Sequence, residues 1–561
     1  GMSVTESSSA YQDSLRNSIG SVTSPTSTRA TTPDRCQRHI RANPSLCTYG
    51  SALSIATSAD GSDHDAEVLI RSHAHELLYN KEGQVVGGTL AALVEKLTSQ
   101  HAPPEPEYNT AFLLTFRLFT DGVELAQTLV TRFEYAGDCN TDSSPARLRV
   151  YNFFKTWLES HYLAESDAPA LKIIHSFAVD QLSPQFSGPG KRLAELAKKA
   201  SQVKPSSTTS QLVSAVGKTC VSLGTDYEKA IIPHANINKE QLYLLMGGVS
   251  TKKFTLLDLD AVEVARQLTV MESRIFCAIQ PHELLGLEWT KKNGRAKHVL
   301  AMSKFSTNLT NLVVDTILAA DQTKKRVAIL KHWIKIAKLC LDIDNYSALM
   351  AIACSLTTSA VARLRQTWDQ LSAKTIATFN EIKVIVDVSR NYAVLRHRLQ
   401  TPKAPCLPFV GMYLTDLTFV DAGNSNTRPL PNGDEEGVES KSVINFDKYM
   451  RSARVVSHLQ RYQVPYRLQH VREIQDWLET QLDRVNKSDQ CTVMSFWRRS
   501  QAVEARSNGE ERRESTEEKE KMFSSGFVGS MLRPKNKASV SSGLNAFLHR
   551  VKTGGSTHST E

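Results

Sequence analysis

Three groupings in this chain have residue types suited to bond chemistry, and each lacks a partner that the chemistry requires. Gly217-Lys218-Thr219 matches the end of a phosphate-cradling loop. That loop needs a further glycine five positions before Gly217 to free its backbone amides, and Leu212 stands there. His282-Glu283 opens like a zinc-protease helix, but the second histidine would fall at Gly286. His73 and His75 beside Glu76 have no further cysteine or histidine at ligand spacing, so they read as surface histidines. A nucleophile elbow and the kinase signature set are also missing from the sequence. No cofactor and no metal is expected, and an ordinary metabolic enzyme is disfavoured.

The most informative stretch is instead PCLPFVGMYLTDLTFVDAGN, from Pro405 to Asn424. It is apolar and aromatic, carries few groups suited to acid, base or nucleophile work, and lies between two long helical regions. Such a segment is suited to docking on another protein and changing its conformation.

The elements that must position it follow from pattern. At 561 residues there is room for several domains. Hydrophobic residues are 41% and charged residues 22%, ordinary for a globular protein. The net charge of +9 is modest for this length, and its basic residues are spread without interleaved aromatics, which argues against nucleic acid. Nine cysteines, none in a C-x-x-C pair and most within apolar periodic segments, read as free thiols of a reducing compartment. A cytoplasmic protein is expected.

Residues 1–66 are rich in Ser and Thr and poor in apolar periodicity, so they are read as a disordered tail. Leu90, Leu93, Val94 and Leu97 within Gly87 to Gln100 make an i, i+3, i+4, i+7 stripe. The helical pattern continues through Phe112 to Phe119, Glu124 to Phe133 and Leu148 to Tyr162. From Leu256 it becomes dense: Val327, Leu330, Ile334, Ala337 and Leu341 share one face, with Lys325, Lys331, Lys335 and Lys338 largely opposite. Few segments alternate with period two, so the expected class is all-α. Ordered helices are expected to end near Val485, leaving residues 486–561 as a mostly disordered basic tail. Within it, residues 542–552 place Leu544, Phe547, Leu548 and Val551 on one basic amphipathic face suited to weak membrane or partner contact.

Two separate blocks resemble the Ras guanine-nucleotide exchange factors. GGTLAALVEKL with FLLTFRLF resembles that family's N-terminal motif. The stretch from about Ile237 to Val485 resembles its catalytic domain, through KRVAILKHWIKIAKLCLDIDNYSALMAIACSL, SRNYAVLR, PCLPFVGMYLTDLTFVDAGN and INFDKYMRSARVVSHLQRYQVPY. The resemblance implies an N-terminal helical module (residues 67–232) packed on an orthogonal-bundle catalytic domain (residues 233–485) with a protruding helical hairpin. It implies a partner, a Ras-type small GTPase, whose switch I the hairpin opens so that Mg²⁺ and GDP leave and GTP enters. No covalent bond changes, which fits the missing acid–base constellation. Recruitment to the inner face of the plasma membrane would follow. An exchange factor for a Rap- or Ral-type GTPase and a non-catalytic GTPase-binding scaffold remain the alternatives.

The resemblance also implies site residues. The hairpin's first arm would be about Pro408 to Asn424 and its second about Ile444 to Gln463, joined by a polar loop read as a tolerated insertion. Thr415, Thr418, Asp421, Ala422 and Asn424 would form the wedge facing switch I. Tyr392, Phe409 and Met350 match positions lining a pocket for a switch II aromatic. By residue type alone, Tyr392 and Phe409 read as core packing, and only the resemblance makes them contact residues. Ser303, Lys304 and Thr357 would lie on the binding rim, whereas Arg363 and Asn445 would be structural. Some family members carry a bulky apolar residue at the position of Thr418 and an acid at that of Ala422. Asp421 is displaced from the latter by one residue, about 100° around a helix. The resemblance therefore implies steric opening of switch I more than mimicry of phosphate charge.

Overall fold

Helix starts are set by local caps. Asp121 accepts from the amides of Val123 and Glu124 at 2.8 and 2.9 Å to begin Gly122–Tyr135. Asp260 accepts from the amide of Val262 to begin Ala261–Ala278, and Asn238 closes a capping box on Lys239–Leu245. The computed structural model describes residues 73–100, 103–136, 144–203, 231–248, 254–400, 405–430 and 441–505. The expected tail at 1–66, the phosphate-loop look-alike at Gly217, most of the hairpin loop and the 542–552 stripe lie outside the described residues.

The class is all-α. Thr89 caps Leu90–Leu97, and Leu93, Val94 and Leu97 are buried as their spacing requires. Leu330, Ile334, Ala337 and Leu341 are buried on Thr323–Asp342, while Lys325, Lys331 and Lys335 are exposed. Ala261–Ala278 is buried nearly all round, Glu263, Gln267 and Glu272 included, because neighbours cover every side. Thr323–Asp342 packs on it, and Lys297–Leu318 packs on Tyr346–Leu356. One continuous hydrophobic core joins Leu93 near one end of the described chain to Phe496 near the other.

Periodicity did not reveal a small antiparallel sheet of order β1-β2-β4-β3: β1 (Leu77–Tyr79), β2 (Val85–Gly88), β3 (Thr427–Pro429) and β4 (Ser442–Ile444). Three or four residues are too few to show alternation. Gly87 and Gly88 therefore belong to a strand and not to the helix that follows. A Cβ on Gly87 would lie 2.7 Å from the carbonyl oxygen of Ile444, so only glycine permits this crossing.

The expected end of order near Val485 is corrected. Arg472–Lys487 is followed by a second helix, Val493–Val503, capped by Thr492. Arg363 Nη1 donates to the carbonyl oxygens of Ser500 and Glu504, each at 2.8 Å. Glu504 is buried against Arg326, at 3.2 Å, and Thr367. Within the polar stretch that suggested a tail, this short helix buries Phe496 and is held by ion pairs and hydrogen bonds, including Arg499 to Asp315 at 2.7 Å.

Candidate GTPase-binding site

The hairpin is two antiparallel helices, a first arm Val410–Gly423 and a second arm Phe446–Gln460, packed on each other. Val410, Tyr413, Leu414 and Leu417 of the first arm are buried. Helical spacing puts Gly411, Thr415, Thr418, Phe419 and Ala422 on the opposite, open face. Thr415 and Thr418 turn their hydroxyls back to the carbonyls of Gly411 and Leu414, at 2.9 and 2.8 Å. Their methyl groups are therefore what the face offers a partner. Phe419, 37% exposed, adds an aromatic ring that sequence reasoning missed. Its signal was present: it lies four residues after Thr415 and one after Thr418.

Asp421 and Asn424 do not join this face. Asp421 pairs at 2.8 Å with Lys448 of the second arm, whose side chain is buried. Asn424 Nδ2 donates to the carbonyl of Val420 at 2.8 Å and finishes the helix. Asn445 lies at the hairpin base, accepting from Arg428 Nε at 2.6 Å and donating to the Ser425 carbonyl at 2.7 Å.

The chain entering the first arm is pinned beside the helix that carries Met350. Leu407 accepts from the amide of Tyr346 at 2.9 Å and donates to the Asp344 carbonyl at 3.0 Å. Beneath this junction, buried Glu272 accepts from Asn345 and Ser347 at 3.0 and 2.9 Å, and burial pushes its carboxyl up to about 7 against those hydrogen bonds. Phe409 is buried, and its ring folds over the start of its own helix. A Cβ on Gly411 would lie 2.5 Å from that ring. Tyr392 stands 5.7 Å from Phe409 between ring centroids, at 57°. Burial, with Cys354 nearby, raises the Tyr392 hydroxyl above its usual range.

Tyr392 is presented by unusual backbone. Arg390, Asn391 and Tyr392 have φ of 50, 56 and 60°, three consecutive left-handed residues. Each costs roughly 1–2 kcal/mol for an L-residue with a side chain. Met350 is buried in Tyr346–Leu356, and Thr357 is exposed at that helix's end, its hydroxyl donating to Ala353 and Cys354 carbonyls at 3.1 Å. Ser303 is half-buried and Lys304 exposed on Lys297–Leu318, the helix packed beside it. Arg363 stands apart, tied to the helix Val493–Val503.

The back of the hairpin meets the N-terminal module. Phe446 lies 4.8 Å from Tyr108 and 5.9 Å from Phe112, and Tyr449 lies 4.9 Å from Phe119. Glu107 pairs with Arg454, and Glu76 with Lys441 at 2.5 Å. Gly88 pairs with Ile444 across the sheet.

A model of the RasGEF domain matches residues 263–450, and a model of the RasGEF N-terminal motif matches residues 84–177. Cell division control protein 25 of Candida albicans is 30% identical over 440 residues, 75% of this chain and 30% of that protein. Ras guanine nucleotide exchange factor A of Dictyostelium discoideum is 29% identical over 437 residues, 74% of this chain and 66% of that protein. Cell division control protein 25 of Saccharomyces cerevisiae is 28% identical over 437 residues, 74% of this chain and 27% of that protein. The chain thus spans less than two-thirds of the length of these relatives. Two separate domain matches in the family's order, on a helical bundle that carries an antiparallel helical hairpin, lead to one conclusion: the chain belongs to the Ras guanine-nucleotide exchange factor family.

Proposed function

We propose that this chain accelerates nucleotide release from a Ras-type small GTPase. The observation that carries the reading is the two-sided first arm, with its rear buried in the hairpin and an open face of Thr415, Thr418, Phe419 and Ala422 beside the Tyr392–Phe409 pair. The aromatic pair receives an aromatic side chain of the GTPase, as buried anchors do in such interfaces. The Thr415, Thr418, Phe419 and Ala422 face then displaces switch I. Exchanger and nucleotide weaken each other's binding, so the nucleotide-free complex is the intermediate and abundant GTP resolves it. Asp421 is engaged by Lys448, which supports steric opening over phosphate mimicry. We place the encounter at the inner face of the plasma membrane; no described helix is long and apolar enough to cross a membrane.

The test is release of a fluorescent GDP analogue from purified Ras, Rap and Ral in excess GTP. Acceleration on Ras alone supports the full reading. Acceleration on Rap or Ral keeps the mechanism and changes the partner. A stable complex without acceleration on any of them would make the hairpin a clamp and remove the exchange reading.

A further inference from the structure

We infer that Arg396 and Asp416 are positioning residues that lock the left-handed turn carrying Tyr392 onto the first arm, so that aromatic pocket and wedge meet the GTPase as one rigid unit. The inference rests on the exchange reading above. Arg396 uses its whole guanidinium. Nη1 and Nη2 donate to the two carboxylate oxygens of Asp416, both at 2.8 Å, and Nε donates to the carbonyl of Asn391 at 2.7 Å. Asn391, the middle residue of the turn, also directs its Nδ2 at Asp416, at 3.5 Å.

Two observations make this more than a surface ion pair. The first is the strain it holds. A run of three left-handed residues persists only when its surroundings over-determine it, and the Arg396 contact is made to a carbonyl inside that run. Freed of the contact, the turn relaxes toward negative φ and carries the Tyr392 ring away from Phe409. The second is its location. Asp416 follows Thr415 directly on the first arm, and Phe409 begins the same arm. Tyr392 is thus tied to one helix twice, through its ring to Phe409 and through its turn to Asp416. A lysine cannot replace Arg396, because one ammonium on a flexible stem cannot serve a carbonyl and both carboxylate oxygens in a fixed fork. The side chains are 31% and 22% exposed, so the pair's effect on global stability is small while its effect on the turn is direct.

The experiment uses the full chain and steady-state exchange on the GTPase it accelerates. Arg396→Ala and Asp416→Ala are each expected to raise KM for the GTPase about tenfold or more, as misplacement of a binding group by about an ångström or more does. Their melting midpoints should shift by less than about 4 °C. Arg396→Lys should match Arg396→Ala. Adding Arg396→Ala to Tyr392→Ala should cost nothing further, because the arginine acts through the tyrosine. Additive losses, an unchanged KM or full rescue by lysine would overturn the inference. Hydrogen exchange separates it from the functional reading. Faster amide exchange at residues 389–396 in Arg396→Ala, with a wild-type chain inactive on every GTPase, removes the exchange reading and keeps the lock. Unchanged amide exchange overturns the lock whatever the activity.

Discussion

The two arms of the hairpin are similar in length and opposite in design. The second arm is covered on both sides. Phe446 and Tyr449 are buried under aromatic residues of the N-terminal module, and Val456 and Leu459 are buried in the domain core. Beyond its base, where Met412 is also buried, the first arm buries one side only. Its other side is small apart from Phe419, its threonine hydroxyls are satisfied by its own backbone, and it is braced at the edges by Asp416 to Arg396 and Asp421 to Lys448. One arm is an anchor and the other a presented surface. The proposed wedge action needs both, because an unsupported helix would yield to its partner instead of moving it.

That contrast can be broken in order of expected effect. Phe446→Ala removes the anchor's central ring and should cost about 3–5 kcal/mol of stability by denaturant unfolding. Thr418→Arg should leave stability within about 0.5 kcal/mol and lower exchange roughly a hundredfold, since it burdens only the open face. A large stability loss from Thr418→Arg would mean that the first arm is anchored too. Lys448→Met removes the link between the arms. It should cost about 0.5–1.5 kcal/mol, the net worth of the lost contacts, because Asn426 and Asp421 are exposed and water replaces their donor; the measurement is again denaturant unfolding.

A pH series sharpens the comparison at the root of the first arm. The carboxyl of Glu272 titrates near 7 when folded against an ordinary 4.5, so the native state holds its proton longer than the unfolded chain. Its contribution to stability is full below pH 4.5, is lost as pH rises toward 7 and is flat above that. Glu272→Gln should flatten the fall across that window, and an unchanged slope would place the titration elsewhere. The smallest effect is expected from Glu107→Ala. Both side chains of the Glu107–Arg454 pair are about half exposed, so stability should change by no more than about 0.5 kcal/mol.

Much of this was legible in the residues. The stripe at Leu93, Val94 and Leu97, the apolar face of Thr323–Asp342 and the shared face of Thr415, Thr418 and Ala422 all follow from a 3.6-residue period. The same period would have found Phe419. What escaped had no local signature. The helix Val493–Val503 is short and lies in a polar stretch, and it and Glu504 are held by Arg363, Arg326 and Asp315 far away in sequence, so the segment reads as tail when those partners are unknown. The pairing of Asp421 with Lys448 of the other arm likewise had no local signature.

By itself the sequence determined the helices, their caps and the faces they present, because those depend on residues within a turn or two of one another. The tertiary structure alone decided what those faces meet. The Arg396–Asp416 lock spans 20 residues, the Arg326–Glu504 pair 178 and the Lys441–Glu76 pair 365. A left-handed turn at Asn391 is unfavourable in any isolated peptide of this sequence. It becomes tenable only where a guanidinium from the next turn and a carboxylate from another helix converge to hold it.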